Sequence, residues 1–167
     1  QQWLQLVFEQ LLPGLSRVTG IEPQVLSGLA PAEMAACLWV VQMIIFAAVS
    51  REAVDTKTLD SEALFEHPED VLADCFRFFG QPMEDSRISQ TVSSDLFCSY
   101  AKSHERRRYN NAERLTERAS VRRRLSTEMS RARAWLEAHG DSLDLELRLP
   151  NPLSGSAPLL LQESELP

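Results

Sequence analysis

The sequence predicts a mainly α-helical chain with a few short strands, and three observations carry that expectation. Apolar residues recur at three- and four-residue spacing over most of the chain. One run, residues 32 to 49, is apolar nearly all round, and strict alternation over four to eight residues is confined to two places, Val54 to Leu59 and Leu143 to Leu149.

In chain order, Trp3, Leu4, Leu6, Val7, Phe8, Leu11 and Leu12 give an apolar stripe at helical spacing, which the breakers Pro13 and Gly14 are expected to end. Gln1 enters directly into this pattern without an initiating Met, so the chain reads as part of a longer one. Residues 13 to 32, punctuated by Pro13, Gly14, Gly20, Pro23, Gly28 and Pro31, read as a loop with room for one short turn. Ala32 to Val49 is a helix that belongs either in a protein core or in a membrane. Met34 to Val49 would rise only about 24 Å against about 30 Å of bilayer hydrocarbon, with Gln42 at its middle, so a buried helix and no membrane span are expected.

Val54 to Leu59 is a short strand, followed by a polar loop and a helix with strong start and stop signals. Pro68 suits the first turn, Glu69 and Asp70 lie at the positive end of the dipole, and Gly80 with Pro82 closes it. Val71, Leu72, Cys75, Phe76, Phe78 and Phe79 make its apolar set, so heavy burial is expected. Residues 84 to 100, with Ile88, Val92, Leu96 and Phe97, suggest a further helix, and 101 to 111 a polar loop. Asn111 to His139 reads as one long surface helix with a narrow apolar seam through Leu115, Leu125, Met129 and Leu136, stopped by Gly140. Leu143 to Leu149 is a half-buried strand ended by Pro150.

Strand, acidic loop and helix together resemble the C-terminal half of P-loop sulfotransferase-like proteins. The matching residues are Leu59, Asp60, Ala63, Leu64, Pro68, Leu72, Phe78, Phe79 and Gly80. A second block fits the same family: CSYAKSHERRRYN, an Arg-rich helix, Trp135, and the closing Leu149-Pro150-Asn151-Pro152-Leu153. The resemblance spans roughly residues 30 to 153 and implies the C-terminal part of an α/β P-loop three-layer fold, with residues 1–153 as one portion and 154–167 as a Pro- and Ser-containing tail. It implies transfer of a sulfuryl group from 3′-phosphoadenosine-5′-phosphosulfate, the nucleotide co-substrate, to an unnamed acceptor, with no metal. Tyr100, Lys102, Arg106, Arg107 and Arg108 would contact the nucleotide, the cations gripping its 3′-phosphate and Tyr100 or Tyr109 stacking on adenine. No catalytic residue is implied in this chain. The glycines stand singly and form no phosphate-cradling loop, so this segment alone is expected to be inactive. The alternative is a non-enzymatic helical interaction module that docks an acidic or helical partner.

The 167 residues are enough for a sizeable core. Cys37, Cys75 and Cys98 are too widely spaced for a disulfide framework or a zinc site and read as buried thiols in a reducing, cytoplasmic setting; His67, His104 and His139 read as isolated surface residues. The net charge of −7 hides a division: Lys102 to Arg133 carries eleven basic and four acidic residues. Arg122-Arg123-Arg124 invites a nucleic-acid reading, but overall acidity, missing interleaved aromatics and interspersed glutamates favour a solvated face paired with acidic groups, and no nucleic-acid partner is expected.

Overall fold

The computed structural model describes residues 2–53, 55–99, 109–140, 143 and 150–154. These form nine helices: α1 Gln2–Thr19, α2 Pro23–Ser27, α3 Pro31–Glu52, α4 Ser61–Glu66, α5 Pro68–Phe78, α6 Asp85–Val92, α7 Asp95–Cys98, α8 Asn111–Arg124 and α9 Ser126–His139. They divide into two compact units, Gln1–Glu52 with Arg122–Leu147, and Ala53–Val121 with Arg148–Pro167.

The expected strands and three-layer sulfotransferase-like architecture are not found: among the described residues there is no strand and no sheet. Of the strand expected at Val54 to Leu59, Val54 lies outside the described residues, and among the rest Thr58 alone makes an isolated parallel bridge, to Pro152. Its N–H donates to the Asn151 carbonyl at 3.1 Å, its carbonyl accepts from Leu153 N–H at 2.9 Å, and its hydroxyl donates to the Pro150 carbonyl at 2.6 Å. The pairing has no room to grow. On one side Asp60 turns the chain into α4 by accepting the Glu62 N–H at 2.9 Å, and on the other Pro150 and Pro152 have no N–H to offer a further strand. Leu143 is buried; the rest of the strand expected over Leu143 to Leu149 lies outside the described residues.

The N-terminal unit is built on α3, which packs against both α1 and α9, while α1 also packs against α2. Its core comprises Phe8 and Leu15 of α1, Leu26 of α2, Met34, Cys37, Val40, Val41 and Ala47 of α3, and Trp135 and Leu136 of α9. α1 does not stop at Pro13-Gly14 but continues to Thr19. An interior proline removes one helical hydrogen bond. Against that loss, Phe8, Leu15 and Thr19 lie on one face and are all buried, so core packing on both sides of Pro13 sustains the helix. The stop is Gly20, at φ +70°, whose N–H donates to Ser16 O at 2.8 Å. α3 opens on Pro31, with Glu33 reaching back to accept the Ala30 N–H at 2.7 Å, half of a capping box.

In the other unit α4 to α7 pack each on the next, with Val71 and Ile88 buried. α4 occupies the expected polar loop. α5 has the expected start and stop: Gly80 (φ +68°) donates to Arg77 O and Gln81 to Phe76 O, the paired bonds of a Schellman ending. It is not heavily buried, since Val71 alone of its residues is fully covered and Phe79, just beyond its end, is 72% exposed. The helix expected over 84 to 100 is broken at Ser93 and Ser94 into α6 and α7. The long helix of residues 111 to 139 is likewise two, broken at Leu125 (φ −107°, ψ 22°), and its expected seam leaves Leu115, Leu125 and Met129 exposed.

The two glycines of the N-terminal unit's first helix and its end should respond oppositely to alanine. Gly14 is helical with open space around the position of a Cβ, so Gly14→Ala should stabilise by about 0.5–1 kcal/mol. Gly20→Ala should destabilise by about 1–2 kcal/mol, the cost of a left-handed alanine. Urea unfolding of both variants measures the two signs; the same sign for both would contradict the assigned helix end.

Candidate interaction surface

The residues expected to grip a nucleotide, Tyr100, Lys102, Arg106, Arg107 and Arg108, lie outside the described residues. The basic helix that follows them is described, and its arginines divide into two sets. Arg114 is drawn into the fold: its guanidinium donates to both carboxylate oxygens of Glu62, at 2.8 and 3.0 Å, and its Nε to Asn111 Oδ1 at 2.9 Å. The same guanidinium lies 4.5 Å from the Phe65 ring centroid, a cation–π contact. Arg118 adds a second ion pair to Glu62 at 2.8 Å. Only 12% of the Arg114 side chain is exposed. Tyr109 is engaged too, its hydroxyl donating to Glu117 Oε2 at 2.9 Å.

This cluster joins α4 to α8 within one unit. The Arg114 hydrogen bond is the chief reason the Glu62 carboxyl sits below the usual carboxylate range; burial opposes the shift, and the charges of Arg118 and Arg114 add to it. A fork-to-fork pair of this kind fixes geometry, and every oxygen of Glu62 is occupied, which leaves no acidic group here free for acid–base work.

The second set, Arg122 to Arg124, ends α8. Arg123 and Arg124 are exposed, and neither enters an ion pair among the described residues.

Among the described residues no activated nucleophile emerges elsewhere. Burial pushes the Cys37 thiol up to about 11, and burial with the neighbouring Asp74 charge also raises Cys75. Both are free thiols. His67 is exposed, as expected, and His104 lies outside the described residues. His139 departs from the expected surface role: its ring stacks on Trp135 at 4.7 Å, with Nδ1 2.8 Å from the Trp135 carbonyl oxygen. Among the described residues no group of three or more His, Cys, Asp or Glu is arranged to hold a metal ion.

The chain was compared with protein-family models, with characterised proteins and with solved structures. None matches.

What the structure does present is apolar surface on the N-terminal unit. On α1, Trp3, Val7, Leu11, Gly14 and Val18 follow one another at four- and three-residue steps and so form a single ridge beside the buried face; Trp3 is 73% exposed, and Leu11 and Val18 are exposed as well. On the C-terminal half of α3, Ile45, Phe46 and Val49 are 50%, 40% and 57% exposed. Full burial of α3 was the sequence expectation, and only a third of its apolar window is buried. The expected shortness fails too, since 22 residues rise about 33 Å. Among the described residues α3 is the helix long and apolar enough to cross a membrane by length and composition. Sequence reasoning missed both ridges because it expected α3 to be buried and did not divide the α1 stripe into a covered and an open side; the signal for α1 was a stripe wider than one buried face requires.

Removing the guanidinium from the α4–α8 cluster should have a pH-dependent cost. With its folded pKa held below the ordinary carboxylate range, Glu62 contributes stability that is complete above the unfolded pKa and lost as pH falls through the folded one. Arg114→Gln should therefore cost about 1–2 kcal/mol in urea unfolding at pH 7, and progressively less as the pH is lowered until the Glu62 carboxyl is protonated in the folded chain. An equal cost across that range would show that charge pairing is not what Arg114 supplies.

Proposed function

We propose that the chain is a non-enzymatic helical interaction module whose N-terminal unit docks an amphipathic helix of a partner protein. The observation that carries this reading is the half-exposed apolar group Ile45, Phe46 and Val49 on a helix whose other side is held by α1 and α9. Three large apolar side chains at i, i+1 and i+4, with the Trp3–Val18 ridge on α1, have the spacing that accepts the ridges of another helix. Gln42, exposed and uncharged, lies on the same side of α3 as Ile45, Phe46 and Val49, so burial of apolar area would supply most of the affinity there. Packing of α3 against two helices of its own unit supports a place in protein rather than in lipid, and the free thiols of Cys37 and Cys75 fit a reducing, cytoplasmic setting. The sulfuryl-transfer reading drew its structural support from a three-layer fold that these residues do not form, and the geometry favours docking over it.

The test places a photo-crosslinking amino acid at position 11 or 46, with position 130, exposed on α9, as control. Irradiation in extract of the source cells should give one discrete adduct from positions 11 and 46, mapping to a helical segment of the captured protein or of a second copy. Phe46→Ser combined with Val49→Ser should abolish the adduct from position 11 while leaving the thermal midpoint within a few degrees, since both side chains are already partly in water. Adducts indistinguishable from those at position 130 would overturn the proposal.

A further inference from the structure

Arg122, Arg123 and Arg124 have no part in the ionic cluster of α8 and lie immediately before the junction of α8 with α9. Counting back from Ser126, they occupy the positions four, three and two residues upstream, with Leu125 between. Ser126 is exposed, and so are Arg123 and Arg124. Leu125 is off helical geometry, at φ −107° and ψ 22°, so the helical hydrogen-bonded run is interrupted at the residue before the serine. We propose that Ser126 is a phosphorylation site for a basophilic serine/threonine protein kinase.

The chemistry of recognition follows from the arginines. A kinase that selects basic substrates lines its substrate groove with carboxylates, and a guanidinium fork binds these through paired charge-assisted hydrogen bonds. Two arginines without an ion pair among the described residues, two and three residues before an exposed hydroxyl, supply that pattern, and no acidic residue intervenes between Glu117 and Glu128 to repel it. A helical end is also one of the cheaper places to open locally, as a groove that binds extended chain requires. In the transfer itself, the Ser126 Oγ attacks the γ-phosphorus of magnesium-bound ATP and its proton passes to the kinase's catalytic carboxylate. The bond from the γ-phosphorus to the bridging oxygen breaks, and ADP leaves.

The arrangement also gives the product somewhere to sit. Ser126 is the first residue of a 14-residue helix, and Leu125, at its cap position, offers no side-chain acceptor to the free N–H groups of the first turn. A phosphate brings between about −1.5 and −2 charges to that end, next in sequence to three arginines. Phosphorylation should therefore firm the first turn of α9, slowing amide exchange there.

The experiment incubates the intact chain with the catalytic subunit of cyclic-AMP-dependent protein kinase and magnesium ATP, followed by intact-mass analysis and peptide mapping. One phosphate per chain is expected, on Ser126 and absent from S126A. The R123A/R124A double variant should lose at least tenfold in initial rate while its far-UV circular dichroism is unchanged. Amides of residues 127–129 should exchange severalfold more slowly in the phosphorylated chain. No transfer to the intact chain, transfer to Thr127 or Ser130 instead, or an undiminished rate in the arginine variant would overturn the assignment.

Discussion

A helix that is apolar on nearly every face has to be covered by something, and in this protein α3 imposes that requirement on its neighbours. Its mean hydropathy of 2.0 over an 18-residue window is that of a core or membrane helix. α1 covers one part and α9 another. This accounts for two otherwise awkward features. α1 persists through Pro13 because Leu15 and Thr19, beyond the proline, bury on the same face as Phe8. α9, with little apolar character over its first two turns, is held near its end by Trp135 and Leu136, and His139 packs on Trp135. What the two helices leave uncovered, around Ile45, Phe46 and Val49, is the surface on which the proposed docking rests.

The second unit is ordered by a different kind of contact. Its helices bury few side chains completely, Val71 and Ile88 among them, and a carboxylate with two arginines ties α4 to α8. Replacing such a pair by apolar groups need not destabilise, whereas removing one partner leaves a half-buried charge uncompensated. The concentration of arginine between residues 102 and 133 is thus drawn on twice, once for the fold at Arg114 and Arg118, and once as a run at Arg122 to Arg124 whose last two members are exposed and enter no ion pair among the described residues.

Much of the helical organisation was legible in local signals. Pro68, Glu69, Asp70 and Gly80 bracket α5 correctly because caps and left-handed glycines act within one turn of the chain. Failures came where non-local contacts decide. Thr56 to Leu59 alternates like a strand, but a sheet needs donors on a neighbour, and the segment that meets Thr58 carries Pro150 and Pro152. Pro13-Gly14 looks like a stop until Leu15 is seen to bury. Leu125, a good helix former, gives no hint of the break after α8. Apolar composition likewise could not tell Val40, fully buried, from Val49 on the same helix, because orientation toward α1 and α9 is set by the packed unit. Of the candidate surface, the exposed ridges were invisible for that reason, and the Glu62–Arg114 pair joins residues 52 apart, so only a general balance of charge foreshadowed it.

The central claim is that α3 is a core helix held by protein packing. Hydrogen exchange of the chain in water, with and without lipid vesicles, tests it most directly. On this account the amides from Cys37 to Ala47 are among the slowest to exchange, at the rate of global unfolding, and vesicles leave them unchanged. Exchange in water as fast as that of the short helix α7, with protection appearing only when vesicles are added, would contradict it.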